Sequence, residues 1–323
     1  MNTDHTDKRS VSALSRVLLL LMLIVLVLTA CSRSPQSIAT TVVTTPGLDP
    51  TSIPTVRPTL TPTPPYTPSP TATPAGWETI AEGVHIRRMI GFENERRGMV
   101  FALRLDPARV DVKMRYDPQR PLRVAGWFRA EQPIAALNAG FFDRDNTPVG
   151  LWVIDGITYG KGHFRMQGEF RVTGAGVSIR RVNERYLSDG TRTLVSLESY
   201  PLLIMPGRFT DPCLGRGAQF NRFGEWCVLS ALPAERMVVG VDGAGFLVFL
   251  LAPSKTFTLS GLAGWLRQSD LNLDVGLNLD GGSSAGMLVQ TGAGVWGEDS
   301  GREVPGALII MPKPLGLEGS EPP

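Results

Sequence analysis

The chain has 323 residues, with 32 Lys and Arg against 30 Asp and Glu, and only 3 His and 3 Cys. A formal charge of +2 with 19% charged residues is too balanced for a protein held on nucleic acid by phosphate neutralisation, so no nucleic-acid partner is expected. The 26 Pro and 35 Gly exceed what one globular domain ordinarily carries, so part of the chain should lie outside any core.

The charge excess is local. Lys8, Arg9, Arg16, Arg33 and Arg57 face only Asp4, Asp7 and Asp49 before residue 77, which leaves 27 basic and 27 acidic residues beyond it. Residues 1 to 16 are polar, and Val17 to Leu28 is an unbroken apolar run too short to span a bilayer comfortably. That pattern reads as the apolar stretch of a signal peptide over residues 1–30. The run ends in Leu28-Thr29-Ala30-Cys31, which resembles the lipobox of bacterial lipoproteins. The resemblance implies cleavage before Cys31, lipidation of its thiol, anchoring to the membrane and a domain on the extracytoplasmic side. A cleaved secretory signal and an uncleaved signal anchor are the other readings. Residues 31–76, rich in Thr, Pro and Ser, contain almost nothing that could bury apolar surface and are expected to form a disordered stalk. Spacer is the simpler role, and a Pro-rich recognition motif the sharper one.

Residues 77–313 read as one domain, followed by a flexible tail over 314–323. Strands are predicted at Val84 to Arg88, Met99 to Leu105, Val110 to Met114, Ile134 to Asn138, Leu151 to Ile154, Met237 to Val241, Phe246 to Leu251, Val275 to Leu279 and Ala307 to Met311. Two segments look helical. One is Arg123 to Glu131; the other is Thr258 to Ser269, with Thr258 as N-cap and Leu259, Leu262, Ala263 and Leu266 on one face. Strands outnumber helices without βαβ alternation, so the expected class is α+β, with a large mixed, twisted sheet and a few flanking helices.

Cys213 and Cys227 are the only thiols of this domain, and an exported protein sits where disulfides persist, so a bridge between them is expected, with two free thiols as the alternative. Two Cys with His85 and His163 match no zinc spacing, and neither a metal nor a cofactor is expected.

Two apolar strands end in polar groups. In residues 134 to 156 a strand runs into Asn138, Gly140, Phe141, Phe142 and Asp143. Polar groups beside a glycine that lets backbone approach a ligand suit a binding site, and an aromatic ring could cover a sugar face. The plainer reading is a strand and loop in which Asn138 satisfies a turn and both Phe are core. In residues 274 to 289 the strand ends at Asn278-Leu279-Asp280 and continues Gly281-Gly282-Ser283-Ser284. Alternation puts Asn278 and Asp280 on one side of the strand. A carboxylate followed by free N–H groups and hydroxyls is what a phosphate or oxyanion site uses. A tight Asp-Gly-Gly turn is the alternative.

NAGFFD, AERMVVGVDGAGFLVFLL, TLSGLAGWLRQSD and LNLDGGSSAGM, in that order, resemble the phosphodiester glycosidase family; PLLIMPG at 201 to 207 and REVPGALIIM at 302 to 311 resemble its intervening and closing segments. The resemblance implies a hydrolase that cleaves the glycosidic bond of a sugar-1-phosphodiester on cell-surface or extracellular glycans. Three positions depart from the family's usual residues: Ala139 for glycine, Ser283 for a third glycine and Met237 for threonine. Such a reaction passes through an oxocarbenium-like transition state with phosphate as a good leaving group. The site then needs a carboxylate, donors for the phosphate and groups that fix sugar hydroxyls. Asp280 is the first candidate carboxylate and Asp143 the second. Arg236 is the candidate phosphate clamp with Gly281, Gly282 and Ser283, while Asn138, Gly140, Phe141 and Asn278 complete substrate binding. His163 is a candidate general acid, with an ordinary surface histidine as the alternative. Asp155 and Asp242 read as turn residues. A surface-anchored module that binds polysaccharide without cleaving it is the competing function.

Overall fold

The computed structural model describes residues 75–182, 191–206 and 231–313, all within the unit Pro68–Pro323. The expected signal peptide, lipidation at Cys31, nearly all of the stalk, the Cys213 and Cys227 bridge and the tail lie outside the described residues.

Short connections decide the architecture. Strands β2 (Val84–Glu93) and β3 (Arg96–Leu105) are joined through Asn94, whose φ of 53° lies in the left-handed region that asparagine tolerates. Strands β12 (Ala234–Asp242) and β13 (Leu247–Phe257) are joined by Gly243 to Phe246, with Gly245 at φ 83°. Connections this short produce antiparallel neighbours, because a parallel pair needs a crossover of a dozen residues or more. With β1 (Glu78–Ala81), β11 (Leu202–Ile204) and β14 (Leu273–Asn278), these strands form a seven-stranded sheet in the order β1-β2-β3-β13-β12-β14-β11. A second sheet orders β7 (Ile157–Lys161), β6 (Gly150–Ile154), β10 (Thr193–Ser199), β8 (Gly168–Thr173) and β9 (Gly176–Arg181). A third orders β16 (Gly294–Glu298), β15 (Met287–Thr291), β5 (Ala135–Asn138), β17 (Gly306–Pro312) and β4 (Val110–Tyr116).

The expected α+β class with one large mixed sheet is corrected on two counts. The described residues are predominantly β with only two α-helices, α1 (Val124–Glu131) and α2 (Leu259–Gln268), and their named strands pair antiparallel in three sheets.

The three sheets share one core. Leu103, Met237, Val239, Phe249 and Leu277 enter it from the first sheet, Trp152, Phe170 and Leu197 from the second, and Leu137, Met287, Leu308 and Ile310 from the third. Alternate residues of the same strands face the helices. Val238, Val248 and Leu250 pack under Leu262 and Leu266 of α2, and Ala136, Ala307 and Ile309 pack under Val124 and Trp127 of α1. Strands covered on both faces read as continuous apolar runs, which explains VVGV, VFLLA and ALII. Truncating such a side chain, as in Leu137→Ala, costs about 2–5 kcal/mol.

Both helices are capped, and one cap positions the site. The Thr258 hydroxyl accepts from Gly261 N–H at 2.9 Å, as the sequence predicts. At the N-cap of helix α1, Arg123 makes no side-chain cap. The helix's free N–H groups are met from elsewhere: Val124 N–H donates to Ser300 Oγ at 3.1 Å and Ala125 N–H to Asp299 Oδ1 at 2.8 Å. The Asp299 to Val304 loop is thereby tied to the helix.

Candidate functional site

The two polar strand ends are joined. Asn138, at the end of β5 and 1% exposed, donates from Nδ2 to the Asp280 carbonyl at 2.8 Å. Its Oδ1 accepts from Gly286 N–H at 3.1 Å, and its own N–H donates to the Gly286 carbonyl at 3.2 Å. One buried amide thus holds both ends of the Asp280 to Gly286 segment, which leaves that side chain spent on backbone and placed for positioning the loop.

The glycines after Asp280 serve different needs. A Cβ at Gly281 would lie 2.7 Å from the Glu235 carbonyl, so only glycine lets the turn press against the start of β12. Gly282 has φ 59°, the left-handed conformation that opens the 3₁₀ turn Gly282–Ser284. That turn folds Ser284 back, and its hydroxyl donates to the Asp280 carboxylate together with Gly281 N–H.

Asp280, two residues past the end of β14, is half-buried. Burial pushes its pKa up to about 7, against the opposite pull of the Ser284 and Gly281 hydrogen bonds and of the Arg302 charge. Arg302 comes from the loop pinned by α1, where its N–H donates to the Ser283 carbonyl at 3.0 Å. Its exposed guanidinium lies 4.9 Å from the centre of the Phe142 ring.

The remaining candidates are placed as follows. Arg236 is 8% exposed and gives its Nε to the Phe257 carbonyl at 3.2 Å and Nη2 to the Leu232 carbonyl at 2.7 Å. Burial lowers its pKa to about 10. The start of its strand touches Gly281, but the guanidinium is engaged by backbone. Asn278 is 2% exposed and donates to the Tyr200 and Leu279 carbonyls at 2.8 and 2.7 Å, while its Oδ1 has no partner among the described residues. Ser283 is exposed at the surface of the turn. Gly140 packs against Trp152, where a Cβ would lie 2.9 Å from Nε1. Phe141 and Phe142 are half-buried.

Asp143 is not brought to Asp280 by any contact among the described residues. It closes an exposed turn in which Thr147 N–H donates to its Oδ1 at 3.3 Å, and a hydrogen bond with Asp145 pushes its pKa up while Asp145 goes down. Burial, aided by Arg165, lowers the pKa of His163, which stacks on Phe164 at 4.8 Å. Asp155 sits in the β6 to β7 turn at φ 51°. Asp242 does more than turn the chain, because it forms a buried ion pair with Arg104 at 2.7 Å. Among the described residues no group of three or more His, Cys, Asp or Glu could hold a metal ion.

The segment 131–311 matches the family model for phosphodiester glycosidase. The chain belongs to the phosphodiester glycosidase family. No curated protein matches it. The fold is similar to that of the zebrafish N-acetylglucosamine-1-phosphodiester alpha-N-acetylglucosaminidase catalytic domain, with a TM-score of 0.59 and 17% identity over 73% of this chain and 86% of that one. It is also similar to a hypothetical protein from Synechocystis, with a TM-score of 0.51 and 18% identity over 75% of this chain and 64% of that one. At such identities the likeness concerns the fold alone.

Within this family member, the three departures fall in different places. Ala139 is 1% exposed and Met237 fully buried, both in the shared core, so their side chains add packing. Ser283 lies in the turn itself. Sequence reading missed Arg302 and Ser284 as site residues. Ser284 carried a signal, the second hydroxyl after the glycine pair, whereas Arg302 reaches the site only through the tertiary fastening of its loop to α1.

Proposed function

We propose that this phosphodiester glycosidase hydrolyses the bond between the anomeric carbon and phosphate in a sugar-1-phosphodiester of an extracytoplasmic glycan. The observation that carries the reading is the half-buried Asp280 carboxyl, held by Ser284 and Gly281 and faced by the charge of Arg302. A carboxylate with a pKa near 7 is a competent base at neutral pH. In its ionised form Asp280 stabilises the positive charge that develops at the anomeric carbon and accepts a proton from the attacking water. A bond forms from water oxygen to the anomeric carbon, the bond to phosphate oxygen breaks, and the leaving phosphomonoester carries the electron pair. Phosphate needs little protonation to leave, so a second carboxylic acid is not required. Arg302 is the phosphate-binding cation in this scheme, and Gly282 and Ser283 supply further donors. Asn138 is a positioning residue, and Arg236 braces the strand against which the turn rests. Ala139 and Met237 leave this machinery intact.

The test is release of sugar from a panel of sugar-1-phosphodiesters by the full chain, wild type against Asp280→Asn. Wild type is expected to turn over at least one substrate, and the variant to lose about 10²–10⁴ in rate. A folded variant that works as fast as wild type removes Asp280 from the mechanism. A wild type that binds polysaccharide but releases no sugar identifies a non-catalytic binding module instead.

A further inference from the structure

The distal half of the β2–β3 hairpin has two unlike faces. Register pairs Arg88 with Phe101, Ile90 with Met99 and Phe92 with Arg97. Met89, Gly91 and Glu93 lie on one face, where Gly91 packs against Phe257 and Glu93 accepts hydrogen bonds from Thr258. The other face presents Arg88, Ile90 and Phe92 on β2 with Arg97 and Met99 on β3, all exposed. Ile90 is 56% exposed and Phe92 55%, unusual for apolar side chains grouped together.

The charges on this face are unmatched. Arg87 and Arg96 have carboxylate partners in Asp270 and Glu93, but Arg88 and Arg97 have none among the described residues. Arg88 instead lies 6.0 and 5.8 Å from the centres of the Phe101 and Trp296 rings. The β2 edge is also open, because β1 pairs only with Val84 to Ile86, and beyond them no strand covers it among the described residues. The described chain begins at the base of this hairpin: a Cβ at Gly76 would lie 3.2 Å from Arg87 Nε, on the face opposite Arg88, Ile90 and Phe92.

We propose that this face docks on an anionic phospholipid surface. Ile90, Phe92 and Met99 enter the boundary between headgroups and acyl chains, Arg88 and Arg97 take lipid phosphates, and free N–H groups of the β2 edge donate to phosphate oxygens. A tether attached at the base of the hairpin raises its effective concentration at the surface, so weak docking suffices. Docking also turns one end of the seven-stranded sheet toward the lipid. That end bears the start of β12, against which Gly281 rests.

The test is amide exchange over residues 88–99 of the full chain. It is measured on vesicles of phosphatidylcholine alone, on vesicles also containing phosphatidylglycerol, and without vesicles. Exchange of the edge amides is expected to slow about tenfold on the anionic vesicles only. Arg88→Glu with Arg97→Glu should abolish that slowing, and Arg88→Ala with Arg97→Ala should weaken it by roughly thirtyfold in affinity. Both residues replaced are exposed, and an unchanged melting temperature will show that the fold is kept. Equal exchange on both kinds of vesicle overturns the proposal. So does protection without vesicles that grows with protein concentration, which would make the face a contact between two copies of the chain.

Discussion

Arg302 and Arg236 illustrate how burial decides what a cation can do. Arg302 is exposed beside a half-buried ring, whereas Arg236 is buried and answered by two backbone carbonyls. Replacing Arg302 by Ala should therefore lower kcat/KM for sugar release by about 10–100-fold with little change in melting temperature, and Lys should recover part of the loss. Replacing Arg236 by Ala should chiefly destabilise, because the Phe257 and Leu232 carbonyls lose a buried donor worth about 1–3 kcal/mol. Thermal melts and steady-state kinetics of both variants separate the two roles, and a reversed pattern would restore Arg236 as the phosphate clamp. Asp280 and Asn138 stand out in the sequence as polar residues ending apolar strands, but Asn138, expected to hold substrate, has its side chain engaged by the Asp280 carbonyl and the Gly286 N–H. The direction of the Arg236 side chain was not legible, because its partners lie at residues 232 and 257 and arrive only through strand pairing. Asp143 shows a related limit: a carboxylate after an aromatic pair looks the same in sequence whether it faces a pocket or closes a turn, and here it accepts from Thr147 N–H.

Among the elements, the capping of α1 links a helix to the site. Ser300 caps the helix with Oγ, 0% exposed, and its hydroxyl also donates to the Arg302 carbonyl at 2.7 Å. Ser300→Ala should cost about 1 kcal/mol as a lost cap. It should also raise KM for the phosphodiester, because the loop that presents Arg302 is loosened; a purely structural role would lower stability and leave KM unchanged. Urea unfolding together with the KM comparison decides. Helix α2 could be read from its N-cap and periodicity, and its bounds differ from prediction by one residue at each end. Several strands of the second sheet escaped notice. Residues 157 to 181 are mixed in polarity, as in β7, where no residue is buried, so neither a continuous apolar run nor clean alternation marks them. Strand pairing was harder still, because β3 with β13 joins segments well over a hundred residues apart.

For the whole molecule, the seven-stranded sheet separates stability from chemistry. Strand β12 runs from Arg236, beside Gly281, to Asp242, roughly 20 Å away at the strand rise of about 3.3 Å per residue. At that far end Arg104 pairs with Asp242 at 2.7 Å, both side chains buried, and lies 3.4 Å from the centre of the Phe246 ring. Asp242→Asn should cost about 3–5 kcal/mol in unfolding free energy by stranding a buried cation, with kcat unchanged below the melting transition. A fall in kcat without loss of stability would contradict this separation. With 27 basic and 27 acidic residues beyond residue 76, the proposed anionic substrate would have to be recognised by a local arrangement, not by a general positive field. The central claim is that Asp280 works as an ionised carboxylate whose pKa is raised to about 7. A raised pKa leaves the group protonated, and so inactive as a base, below that value. The most direct measurement is kcat/KM for sugar release between about pH 5 and 9 in wild type and Asp280→Asn. The account predicts a rate that climbs about tenfold per pH unit, levels off above about pH 7, and loses this limb in the variant. A rate that falls as pH rises through 7, or a rising limb that persists in Asp280→Asn, would contradict it.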